Sequence, residues 1–132
     1  MSQISRWTFP GLATEAEKAG LRISWEVMQP GFSGAVDVIT GTIYLDRHLD
    51  SKPRYALSVL AHELGHYTLG HTCAQSLSSE RLADEWAAQL LIPTPDYRRA
   101  ETLHGNNHYS LARELGVTNR IIEAYQRALT TR

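Results

Sequence analysis

Hydrophobic and polar positions follow two periods along this chain, and the change between them divides it. Leu21, Ile23, Trp25 and Val27 alternate with Arg22, Ser24 and Glu26, the period of two expected of a half-buried strand. After a loop at 29–34, the runs 35–39 and 42–46 flank Thr40-Gly41, a pair short enough for a hairpin turn. These runs predict three strands in one small antiparallel sheet. Ahead of them, residues 14–19 read as a short helix capped by Thr14, with Glu15 and Glu17 in its first turn and Gly20 at its close. Residues 1–11 hold Trp7, Phe9 and Pro10 without a period and read as an irregular arm.

Beyond a polar connection at 46–53 the period becomes helical. Placing residues 53–71 about 100° apart puts Leu57, Leu60, Leu64 and Tyr67 on one stripe, with Pro53 suited to the first turn and Gly70 to the end. Residues 78–92 repeat the period, with Ser78 or Ser79 as cap and Pro93 as stop. Thr94-Pro95-Asp96 opens another helix that fades at Gly105-Asn106-Asn107, and 109–129 read as two helices broken near Gly116-Val117-Thr118. The fold class is therefore α+β, a small sheet in front of several helices. At 132 residues the chain fits one domain, 1–132, with the helical pair at 109–130 part of it, and can bury a core without covalent staples.

Opposite the apolar stripe stands His62-Glu63-Leu64-Gly65-His66. On a helix the two histidines lie one above the other on a single face, close enough to share one metal ion, and Glu63 points to the flank of that face. A zinc ion held there binds a water, and a neighbouring carboxylate can take the water's proton as it attacks a carbonyl. That is the chemistry of a zinc peptidase. Gly65 lies near the same side, where a missing side chain lets another backbone come close.

A catalytic zinc site needs a third protein ligand and one open position. His71, Cys73, Glu80, Asp84, Glu85, His104 and His108 are the downstream candidates. On the helix at 78–92, Asp84, Ala83, Ala87 and Leu91 fall within about 60° of Glu80, so the two acids share a face that can pack against the histidine helix. Glu85 falls with Arg81 and Gln89 on the solvated side and reads as an exposed helix pair. Glu80 is read as the ligand, against the alternative of an ordinary first-turn acid favoured by the helix dipole. Asp84, one turn on, either accepts the second N–H of a ligating histidine or is a buried cap partner. His71 follows Gly70 directly, which breaks the spacing of a third-histidine peptidase, and it reads as a helix C-terminal residue on the dipole. Cys73 reads as a small buried filler.

The formal net charge of -1 leaves no global footprint for nucleic acid or an acidic membrane surface. No stretch approaches the length of a membrane span, so no membrane partner is expected. The single cysteine excludes an intrachain disulfide framework and fits a reducing compartment. A soluble cytoplasmic protein is expected.

With Gly41-Thr42-Ile43-Tyr44-Leu45, then His62-Glu63-Leu64-Gly65-His66, then the run from Glu80 through Asp84 to Leu90-Leu91-Ile92-Pro93, the sequence resembles the ImmA/IrrE family of zinc metallopeptidases. The likeness covers about 25–93 well and the tail loosely. It implies a thermolysin-like, gluzincin-type core with His62, His66 and Glu80 as zinc ligands, Glu63 as the base and Asp84 behind a ligand. Where the family often has Glu-x-Glu-Ala-Asn, this chain has Leu82 at the second acid and Asp84 at the asparagine, which weakens any role for a middle acid and leaves Glu80 as the better ligand. The resemblance also implies a substrate, a partner helix-turn-helix repressor in a phage or mobile element, cut at one or a few bonds.

Two further expectations concern the cleft. The strand at 42–46, as a sheet edge, would align a substrate backbone by strand addition. Another donor would stabilise the oxyanion, with Tyr67, Tyr97, His104, His108 and Tyr109 all chemically able. The alternative function comes from the tail, where Leu111 to Thr118 and then Ile121 and Ile122 have the spacing of a helix-turn-helix, and Asn119, Arg120, Gln126 and Arg127 suit base edges or phosphates. A non-cleaving zinc-binding regulator would use those helices to bind a partner protein or DNA. Glu123 and the nearly neutral chain disfavour nucleic acid, and a packed closing pair or a dock for a partner is the better reading.

Overall fold

The strand with the most buried apolar positions takes the middle of the sheet. In the computed structural model, which describes residues 6–71 and 76–130, β1 (Arg22–Glu26), β2 (Gly34–Asp37) and β3 (Thr42–Asp46) form one sheet in the order β1-β3-β2. Ile43 and Leu45 of β3 are fully buried, whereas no residue of β1 or β2 is. β2 runs antiparallel to β3, with Val36 opposite Ile43. β1 runs parallel to β3, with Ile23 opposite Ile43 and Trp25 opposite Leu45.

The sheet is therefore mixed, and the wholly antiparallel one expected from the hydrophobic runs is corrected. Segment 27–33 does not turn β2 back onto β1; it carries the chain past β3. Asp46 fastens it there, its carboxylate accepting from the Met28 N–H at 2.8 Å and its own N–H donating to the Ser33 carbonyl at 2.8 Å. Val27 falls outside the sheet as a result and is exposed. The hairpin is corrected too, because β2 stops at Asp37 and four residues make the turn. The Asp37 carboxylate accepts from the N–H groups of Ile39 at 2.9 Å and Thr40 at 3.3 Å, which bends the chain early and leaves Ile39 in solvent.

Helix α1 (Phe9–Lys18) begins earlier than Thr14, because the Thr8 hydroxyl caps it by accepting from the Gly11 N–H at 3.1 Å, with Pro10 in the first turn. The last three residues of the arm, 9–11, are thus helix, while 1–5 lie outside the described residues, and Phe9 lies 5.5 Å from Trp25, ring to ring. A 3₁₀ turn, Arg47–Ser51, makes the connection to α2 (Pro53–Thr68) and buries Leu49. Leu57, Leu60 and Leu64 of α2 join Ile43 and Leu45 in the core, while Tyr67, expected on the same stripe, reaches the surface at the last turn.

Then come α3 (Leu77–Leu91), α4 (Thr94–His104), α5 (His108–Leu115) and α6 (Asn119–Thr130). The cap of α3 is Ser76, with Ser79 as the reciprocal partner of a capping box, which corrects Ser78 or Ser79 as the cap itself. Between α5 and α6, Gly116 takes a left-handed conformation with φ +72°. Leu111, Leu115, Val117, Ile121, Ile122 and Tyr125 of the tail belong to the same hydrophobic cluster as α2. Among the described residues no helix is long and apolar enough to cross a membrane.

Candidate metal centre

Helices α2 and α3 cross at Gly65. A Cβ built on Gly65 would stand 2.9 Å from the Ala83 carbonyl oxygen and 3.2 Å from its Cα, so only glycine allows this approach. The close crossing brings Glu80 and Asp84 of α3 over His62 and His66 of α2. Glu80 lies between the two rings, with Oε1 3.1 Å from His62 Nε2 and Oε2 2.8 Å from His66 Nε2. Behind them, His62 Nδ1 donates to Asp84 Oδ1 at 2.7 Å, and His66 Nδ1 faces His71 Nδ1 at 2.8 Å.

One ligand atom from each of His62, His66 and Glu80 lies within 4.8 Å of the others. A tetrahedral ion with bonds of about 2.1 Å needs its ligand atoms about 3.4 Å apart. Two imidazole nitrogens and one carboxylate oxygen at this spacing fit a divalent cation in chemistry and in reach. Asp84 and His71 engage the nitrogens on the far side of each ring, an arrangement that fixes ring orientation at metal sites.

The charges depend on burial. Glu63 is 6% exposed, and burial first, with the Glu80 and Asp84 carboxylates adding to it, pushes its carboxyl up to about 7 against the pull of His62 and Arg120. For His62, burial favours the neutral ring, but the Asp84 hydrogen bond and the negative charges of Glu63, Asp84 and Glu80 outweigh it and raise the pKa. His66 goes the other way, lowered by burial and by His62 despite Glu80. Asp84 stays below the usual carboxylate range, because its bonds to His62 and Arg120 overcome burial.

A cleft of about 690 Å³ opens over the cluster, bordered by 31–36, by α2 and by the start of α6. The sheet edge along it is β2, which corrects the expectation that 42–46 would lie there, since β3 is central. Gly34 backs directly on Glu63, a Cβ there falling 2.8 Å from Val59 Cγ1 and 3.3 Å from Glu63 Oε2. None of the five oxyanion candidates borders the cleft. Tyr97 is buried and stacks on Tyr125 at 4.4 Å, His104 pairs with Glu114 at 3.1 Å, His108 lies 3.9 Å from Glu123, and Tyr67 and Tyr109 are exposed elsewhere.

Arg120 is the residue that sequence reasoning misplaced. Its Nε donates to Asp84 Oδ2 at 2.6 Å and its Nη2 to Glu80 Oε1 at 3.3 Å, so it belongs to the site. Arg127 turns inward too, donating to Glu85 Oε2 at 2.6 Å, so Glu85 serves a contact between helices α3 and α6. Gln126 donates to Tyr97 and Asn106. Three of the side chains considered for base reading are thus engaged within the molecule. Cys73 lies outside the described residues.

Two histidines and a carboxylate converge beside a buried acid, under a cleft with a sheet edge, a group that could hold a metal ion and an arrangement suited to a metal-dependent hydrolase. The chain belongs to the Peptidase_M78 family, described as the IrrE N-terminal-like domain, whose model matches residues 16–124. This is a family of peptidases and the one the paired motifs resemble. No curated protein and no solved structure matches the chain significantly.

Proposed function

We propose that this peptidase is a zinc-dependent endopeptidase and that its substrate is a partner helix-turn-helix repressor of a phage or mobile element. The observation that carries the reading is the convergence of His62 Nε2 and His66 Nε2 on one Glu80 carboxylate with Glu63 buried alongside. His62, His66 and Glu80 hold the ion. When bound, zinc acidifies a water and polarises the scissile carbonyl. Glu63, whose carboxyl titrates near neutrality when the metal is absent, is suited to accept the attacking water's proton and pass one to the leaving amine. Asp84 and His71 keep the two imidazoles turned toward the ion. The edge of β2 offers backbone groups to an extended substrate, with Phe32 and Tyr55 as exposed apolar walls.

The repressor comes from the family resemblance alone, and the peptidase parts do not depend on it. The rival, a zinc-holding regulator that acts through its C-terminal helices, leaves the buried Glu63 without a task. Glu63→Gln separates the two. It should keep zinc and form a complex with the repressor while cleavage of that repressor stops. Cleavage that persists removes Glu63 from the mechanism, and a wild-type chain that binds the repressor without cutting it favours the regulator.

A further inference from the structure

We infer that Arg120 is a positioning residue that locks the ligand side chains of the centre, an inference that rests on the zinc reading above. Four links close a circuit. His62 Nδ1 donates to Asp84 Oδ1 at 2.7 Å, and Asp84 Oδ2 accepts from Arg120 Nε at 2.6 Å. Arg120 Nη2 then donates to Glu80 Oε1 at 3.3 Å, and that same oxygen lies 3.1 Å from His62 Nε2. One guanidinium therefore fixes both the acid that orients His62 and the acid that shares a ligand cluster with it.

The guanidinium suits this task by shape. Nε and Nη2 lie along one edge of a planar fork, so two carboxylates can be held at a set separation, which a lysine ammonium on a flexible stem does not do. Position matters as well: Arg120 is in the first turn of α6, and Arg127 ties the next turns of α6 to Glu85 of α3. The side chain is 60% exposed and is not part of the hydrophobic core, so its removal opens no core cavity.

Charge alone predicts the opposite effect. A cation beside a divalent ion repels it, so a bystander arginine would weaken zinc binding and its removal would tighten it. A positioning arginine acts in the other direction, since loss of groups that orient ligands typically weakens metal affinity about 10- to 100-fold. The sign of the change decides between the two.

The experiment measures zinc affinity of the full chain by competition with a chromophoric chelator for wild type, Arg120→Gln and Arg120→Lys, with the cobalt absorption spectrum as a second readout of ligand geometry. Both variants should bind zinc about tenfold or more weakly and show an altered cobalt spectrum, while their metal-free thermal unfolding stays close to wild type. Unchanged or tighter binding by Arg120→Gln, or full rescue by Arg120→Lys, overturns the inference and leaves the zinc site standing. A wild-type chain that takes up no zinc overturns both.

Discussion

The Ala83 backbone rests on Gly65, its carbonyl oxygen 2.9 Å from where a Cβ would be. This contact sets how close α3 comes to the histidine face of α2, and so where Glu80 stands. Gly65→Ala forces the helices apart against backbone atoms that cannot yield cheaply. It should destabilise the chain by about 1–3 kcal/mol and weaken zinc binding, as measured by thermal unfolding and chelator competition. Wild-type zinc affinity in a folded Gly65→Ala variant would mean that the crossing distance does not control the ligands.

Gly34 has a comparable relation to Glu63. A methyl group there meets Val59 at 2.8 Å and the Tyr44 carbonyl at 3.0 Å, and it presses on the Glu63 carboxylate at 3.3 Å. Gly34→Ala should keep its zinc and lose about tenfold or more in turnover, a loss in kcat rather than in metal content. Full turnover would show that Glu63 tolerates displacement.

Burial of Glu63 links proton binding to stability in the metal-free protein. Its carboxyl is raised from 4.5 to about 7, so the unfolded chain releases the proton more readily than the folded one. The stability this group allows is fully present below about pH 4.5 and is lost as pH rises through about 7. Glu63→Gln removes the burden. In chelator at pH 8 the variant should be more stable than wild type by up to about 3 kcal/mol, and denaturant titrations should show the gap closing toward pH 4.5. A gap that does not change with pH would separate Glu63 from this effect.

The α+β class, the hairpin partners and the helix-breaking roles of Gly70, Pro93 and Gly116 were legible because each rests on local pattern or on backbone rules that act within a few residues. Parallel pairing of β1 with β3 was not, since alternation marks a strand's faces but not its neighbour's direction. The cap at Ser76 lay just outside the periodic stretch that suggested a later one, and the cap at Thr8 lay six residues ahead of Thr14 in a stretch without a period.

At the candidate site, the His62–His66 pair was legible from helical spacing within one element, and Glu80 from the face it shares with Asp84 and from the family resemblance. Arg120, Gly34 and His71 were not, because their importance comes from contacts between elements. By sequence His71 is a residue on the helix dipole. Its N–H does bond the His66 carbonyl at 2.9 Å, yet its ring also meets the His66 ring nitrogen, a contact that depends on how the chain leaves α2. Arg120 looked suited to phosphate only while the acids of α3 were not known to face it.

The central claim is that His62, His66 and Glu80 share one ion, and metal counting on purified variants tests it most directly. Wild type and Glu85→Ala, which alters only a contact between helices, should each hold one zinc per chain, and Glu80→Ala should lose it or bind it far more weakly. A Glu80→Ala chain that still carries one zinc with wild-type affinity would contradict the account.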